Sequence, residues 1–272
     1  MRLALTLAAL VSTSSATAQL HEADVIPFIE DSTIKTGSID SSGGSPVIVA
    51  DRIFATPMQI FPIGGGASVA FAEDPGFNSA VGTFAPFSVF EIDILDALRV
   101  WKDGNFDSIA MLTPPAGPDV VLQVELSFGA ATALSPTTPD TFVEGLDFVV
   151  TSLGDIHVHP EHAFDGSADP GVYMITLQIE NQTGGNASSE PFFVLYDLNA
   201  APSDLSDAIT WVEDNLLNNC PGDLNDDGFT NGSDLGLFLG NWGNPGATDL
   251  NNDGTTDGSD LGLFLGEWGA CP

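Results

Sequence analysis

Positive charge is nearly missing from this chain. Five Lys and Arg residues stand against 38 Asp and Glu, a formal net charge of −33 over 272 residues. Such a chain repels phosphate backbones and anionic bilayers, so nucleic acid and anionic membranes are excluded as partners, and it attracts divalent cations. Beyond the first residues no apolar stretch is long enough for a membrane helix. Cysteine is scarce as well: Cys220 and Cys271 are the two in the chain. No G-x-S-x-G motif is present, and nothing among the many carboxylates singles out a pair for glycoside hydrolysis. What the chain does have is 43% apolar residues, which argues against disorder. With 29 Gly, 18 Pro and 18 Phe, this composition favours a β-rich extracellular domain with many turns.

The first residues read as a targeting segment. Arg2 precedes the short apolar run Leu3 to Val11, and Ala16 to Ala18 fits a small-x-small cleavage site. Residues 1–18 are therefore expected to be a signal peptide, with an N-terminal anchor helix as the alternative. The chain is expected to be secreted, either extracellular or at the cell surface.

Residues 19–200 predict strands, the pattern of a mostly β, β-sandwich-like domain. "VLQVELSF" (121–128) alternates apolar and polar residues, and "VYMITLQIE" puts Tyr173, Ile175, Leu177 and Ile179 on one face. "SPVIVA", "MQIFPI", "ASVAFA", "TFVEGLDFVV" and "PFFVLYDL" are further strand candidates, separated by Gly- and Pro-rich turns. "FEIDILDALRVW" (90–101) fits a helix or a strand. Residues 201–219 change period: Leu205, Ala208, Ile209, Val212 and Leu216 fall at helical spacing, with Ser203 as N-cap. This predicts a helical linker to a small module at 220–272.

That module contains a repeat. "DLNDDGFTNGSD" begins at Asp223, and twenty-six residues later "DLNNDGTTDGSD" begins at Asp249; "LGLFLG" follows each. Asp223, Asn225, Asp227, Asn231 and Asp234 hold loop positions 1, 3, 5, 9 and 12, and Asp249, Asn251, Asp253, Asp257 and Asp260 repeat them. Gly228 and Gly254 stand at position 6, where the chain must turn sharply. Phe229 and Thr255 at position 7 would offer backbone carbonyls. This is the calcium loop of an EF-hand, in which alternate residues bring six to eight oxygens around a large hard ion. Two calcium ions are therefore expected. The spacing of Leu235, Phe238, Leu239 and Trp242, and of Leu261, Phe264, Leu265 and Trp268, predicts an amphipathic helix after each loop. Cys220 and Cys271 bracket the repeat, so a disulfide is expected there, with two free thiols as the alternative.

Position 12 departs from the ordinary EF-hand, which has Glu. Two loop-then-helix units with Asp at that position resemble a type I dockerin, over about residues 223–268. The resemblance implies a module that folds around calcium and docks onto a cohesin-like domain, usually tethering secreted carbohydrate-active enzymes to a scaffold. It also places Gly232, Ser233, Gly258 and Ser259, positions 10 and 11 of the loops, at the partner surface. The module lacks the basic residues often found near that surface.

"GDIHVHPEHAFDG" holds three of the four histidines. His157 and His159 share a strand face with Asp155, and His162 follows a turn. That spacing can bind zinc or copper, the alternative being a strand end of hydrogen-bonded histidines. Residues from His157 through "SEPFFVL" loosely resemble a repeat of surface-anchored bacterial cell-wall proteins, which implies a non-catalytic exported β-domain. The combined reading is a secreted calcium-binding protein for extracellular attachment or assembly. The alternatives are a carbohydrate-active enzyme acting on polysaccharide and a metal-binding surface protein.

Overall fold

The computed structural model describes residues 24–41, 46–110, 123–126, 131–183, 185–217, 220–225, 229–251 and 253–270. The chain is mostly β and divides into two compact units at Ile209/Thr210. The boundary lies inside helix α1, Pro202–Val212.

The N-terminal unit holds two large sheets. The longest strand, Gly171–Asn181, is the axis of the seven-stranded one and pairs from Gly171 to Leu177 with Phe192–Leu198. That neighbour pairs in parallel with Ile53–Pro57. The other edge of Gly171–Asn181 takes two strands end to end: Arg99–Lys102 opposite its start and Val89–Ile94 opposite its end. The ambiguous segment at 90–101 is thus two strands, separated by a non-strand break at residues 95–98. Asp96 makes that break, accepting from Ala97 N and Asp140 N at 2.8 and 2.7 Å and holding Arg99 at 2.7 Å. Asn105–Ile109 and Val143–Val149 complete the sheet.

The five-stranded sheet runs Ala131–Leu134, Gln123–Leu126, Glu161–Asp165, Ala67–Ala72, Gln59–Gly64, all antiparallel. The two sheets bury one common core. Tyr173, Ile175, Leu177 and Ile179 meet Ala70, Val124, Ala133 and Phe164 there, as the period-2 alternation of the long strand requires. Around it Phe77, Phe90, Phe148 and Phe192 form aromatic pairs with centroids 6.0–6.4 Å apart. The strand Gln59–Gly64 follows the expected segment, but every residue in it is exposed.

Helix α1 begins at Pro202, so Ser203 lies in its first turn rather than at the cap. Proline there lacks only an N–H that no helical carbonyl would accept. Ala208 and Val212 are buried on the predicted stripe, and Glu213–Leu217 continues as one wider turn.

In the C-terminal unit α2 (Gly232–Gly240) and α3 (Gly258–Gly266) follow the two loops. Three glycines in each nine-residue helix give poor intrinsic helicity. Each helix is held by a capping box and by one buried ring, Phe238 or Phe264. The predicted stripe is narrower than expected: Leu239, Trp242, Leu265 and Trp268 are exposed. The two halves interlock. Thr230 of the first loop pairs with Gly269 beyond α3, and Thr256 of the second exchanges hydrogen bonds with Gly243 and Asn244 beyond α2.

Candidate metal centres

The second loop is closed by its own carboxylates. Asp249 accepts from Asp253 N at 3.1 Å and Gly254 N at 2.8 Å, drawing positions 5 and 6 over position 1. Asn251 Oδ1 accepts from Asp253 N, and Asp253 Oδ1 from Thr255 N, at 2.9 and 3.0 Å. Gly254 has φ +96, a left-handed conformation that glycine takes without strain. Asp260 is fully buried and ties both ends, accepting from Asn251 N at 3.0 Å and Asp257 N at 2.7 Å. The Asp257 N–H holds the Asp260 carboxyl below the ordinary carboxylate range, against the opposing effect of burial.

The first loop repeats the closure. Buried Asp234 accepts from Asn225 N at 3.2 Å and Asn231 N at 2.9 Å. Asn231 Oδ1 accepts from Ser233 N at 2.8 Å and caps α2, as Asp257 caps α3 through Ser259 N at 2.7 Å. Phe229 offers its carbonyl on the Asn231 side, where Asn231 Nδ2 donates to it at 3.2 Å. Asp227 and Gly228 lie outside the described residues.

Position 12 therefore has a structural task in each loop, as the N3 residue of the capping box. An Asp reaches the backbone N–H groups of positions 3 and 9 from there. The donor set fits calcium: every proposed ligand is an oxygen, and each hydrogen-bonded carboxylate oxygen keeps a second lone pair. Gly232, Ser233, Gly258 and Ser259 are all exposed at the helix starts. Cys220 is buried, its Sγ 3.2 Å from Thr230 Oγ1, and no free cysteine occurs among the described residues. Cys271 lies outside them.

The histidines separate. His157 and His159 lie together, Nε2 to Nε2 at 3.3 Å. His162 is not with them: it is fully buried, with Nδ1 2.7 Å from the Tyr196 hydroxyl. Burial lowers its pKa to about 4, opposed by a hydrogen bond with the Pro75 backbone, so its ring stays neutral. Asp155 also turns away, accepting a short hydrogen bond from Thr151 Oγ1. Two residues that the sequence did not single out take their places. Asp24 Oδ1 and Asp74 Oδ1 stand 3.9 and 3.7 Å from His159 Nδ1.

The short strand Phe77–Asn78 gathers this group. It pairs with His157–Val158 and bridges Val25, while Val25 N donates to Gly76 O at 2.9 Å. Three distant segments meet there, which no local spacing announces.

A third cluster, Glu91, Asp93 and Glu180, sits on adjacent strands of the seven-stranded sheet. Burial, then the charge of Glu91, pushes the Asp93 carboxyl up to about 6. Gln182 Nε2 makes a short hydrogen bond to Glu91, and Gly145 N donates to Asp93 at 3.3 Å. The N-terminal unit also holds a cavity that this cluster does not line. That cavity, of about 540 Å³, is bordered by Trp101, Lys102, Asp165, Asp169 and Tyr173. Asp165 is occupied there by Ser167, whose N–H and hydroxyl both donate to it.

No family model matches the chain, and no curated protein matches it. Among solved structures it is similar to the N-terminal domain of PorA, at 11% identity and a TM-score of 0.29, over 65% of this chain and 100% of that one. It is also similar to CfaE, the adhesive subunit of the CFA/I fimbria of enterotoxigenic Escherichia coli. There the identity is 12% and the TM-score 0.26, over 67% of this chain and 50% of that one. Neither likeness is close enough to carry an argument about this chain.

Proposed function

We propose that this is an exported protein in which a β-sandwich-like domain carries a C-terminal dockerin-like module. The module holds two calcium ions and attaches the chain to a protein partner outside the cell. The observation that carries the reading is the exact repetition of one device: an oxygen-rich loop closed by a buried Asp onto positions 3 and 9, feeding a capped helix. The expected ligands are Asp223, Asn225, Asp227, Phe229, Asn231 and Asp234 in the first loop. In the second they are Asp249, Asn251, Asp253, Thr255, Asp257 and Asp260. The ions supply positive charge to a module without Lys or Arg and order the helices that present its surface.

That surface is apolar and doubled. Leu237, Leu239 and Trp242 are exposed on one half, Leu263, Leu265 and Trp268 on the other. Exposed apolar residues in such a small module favour a docking role over a purely structural one. Binding of the full chain to immobilised cohesin domains, with calcium and then with chelator, tests it. Calcium-dependent binding lost in the double variant Leu237→Glu, Leu263→Glu is the expected result. No binding to any cohesin in calcium would remove that class of partner.

The cavity beside Trp101 and Tyr173 favours one second reading, a carbohydrate-active N-terminal domain, because aromatic faces and carboxylates together suit sugar rings. Polysaccharide turnover that falls in Trp101→Ala would support it.

A further inference from the structure

The geometry points to a zinc site in the N-terminal domain, with Asp24, Asp74 and His159 Nδ1 as its ligands and His157 as the residue that orients the imidazole. It is independent of the calcium module.

The three ligand atoms lie within 4.8 Å of one another. His159 Nδ1 is 3.7 Å from Asp74 Oδ1 and 3.9 Å from Asp24 Oδ1. Those separations are too long for direct hydrogen bonds, which run at about 2.7–3.2 Å. They are close to what an ion places between its ligands. Zinc, with bonds of about 2.0–2.2 Å to nitrogen and oxygen, holds neighbouring ligands roughly 3.4 Å apart at tetrahedral angles and somewhat farther when the angle opens.

His157 sets the tautomer. Its Nε2 lies 3.3 Å from His159 Nε2. When His159 donates its Nε2 proton across that gap, its Nδ1 carries a lone pair that faces two carboxylates. A divalent cation among the three atoms would be held by the imidazole and both carboxylates. A second-sphere group that fixes ring orientation in this way is a common partner of ligating histidine.

The backbone leaves room. A Cβ at Gly76 would stand 2.5 Å from His159 Nδ1 and 2.8 Å from Asp24 Oδ1, so any other residue would intrude on the ligand atoms. Gly76 N also donates to Asp24 at 3.1 Å, aiming the carboxylate. Asp24 is fully buried, whereas the side chains of His159 and Asp74 are 30% and 48% exposed. The site is therefore anchored on one side and open to ion entry and a water ligand on the other. One imidazole with two carboxylates neutralises a divalent charge and favours zinc over calcium, for which imidazole is a poor ligand.

Calorimetric titration of the full chain with zinc, in saturating calcium, tests the assignment. One zinc per chain is expected. His159→Ala and Asp74→Asn should each weaken binding at least tenfold, and His157→Phe about tenfold, with the thermal midpoint and calcium stoichiometry unchanged. Asp74 is half exposed, so its variant keeps the test valid if changes at buried Asp24 disturb folding. Zinc should also shift the ring-proton resonances of His159 in nuclear magnetic resonance spectra. No zinc uptake by the unmodified chain overturns the proposal. So does uptake that survives His159→Ala. Uptake lost in both histidine variants but unaffected by Asp74→Asn would put the ion between the two Nε2 atoms, and would also overturn the site as assigned.

Discussion

Phe238 and Phe264 lie ring to ring, centroids 5.1 Å apart and both fully buried. They are the same residue of the two repeats, so the core of the C-terminal unit is a contact between a position and its own copy. Each ring also meets the tryptophan four residues on, Trp242 or Trp268, at 6.1 Å. Little else in either helix is buried.

A core that small should fail at one residue. Phe264→Ala removes half of the central pair and should cost about 3–5 kcal/mol. Urea unfolding of the full chain in calcium, followed by tryptophan fluorescence, should show an early transition that the unmodified chain lacks. An unshifted curve would mean that the module is held by something other than this contact.

Asp260→Asn probes the loop closure. The amide can accept from only one of the two backbone N–H groups that Asp260 now serves, Asn251 N and Asp257 N. A buried donor left without its acceptor costs about 1–3 kcal/mol. The second calcium site should weaken while the first keeps its affinity. Equal loss at both sites would show that the halves are not independent.

The buried acid Asp93 gives a pH signature. Its carboxyl, pushed up to about 6, holds its proton in the folded chain through a range where the unfolded chain has released it, near 4. The folded state therefore binds more protons between about pH 4 and 6, and stability from this group falls as pH rises through that window. Asp93→Asn should remove the fall, opening a gap of about 2 kcal/mol between variant and unmodified chain by pH 6. Parallel stability–pH curves would contradict it.

Cys220 and Cys271 are expected to be bonded. The intact mass of exported, unreduced chain should be lower by two hydrogens, and the pair should contribute roughly 4 kcal/mol by closing a loop of this size. Two alkylatable thiols would refute it.

Much of this was legible locally. The strand Gly171–Asn181 announced itself by alternation, and the two capped helices after the acidic loops by their spacing, because both depend on neighbours in sequence. The helix stripes were read too broadly. Spacing shows that Leu239 and Trp242 share a face with Phe238, but a two-helix unit has too little partner surface to cover them. The segment 90–101 was ambiguous because its two short strands align along one neighbour, a register that only the Gly171–Asn181 edge defines. The histidine group was half legible. His157 and His159 follow from alternation, but Asp24 and Asp74 arrive through the strand Phe77–Asn78. His162 was misplaced because its ring turns into the core to reach Tyr196.

Calcium in both repeated loops is what joins these predictions. Calorimetric titration of calcium into chelator-treated full chain measures it directly. Two ions per chain, with a gain of helical circular dichroism, and one ion in Asp249→Ala, are the predicted results. No heat of binding and an unchanged spectrum would contradict the account.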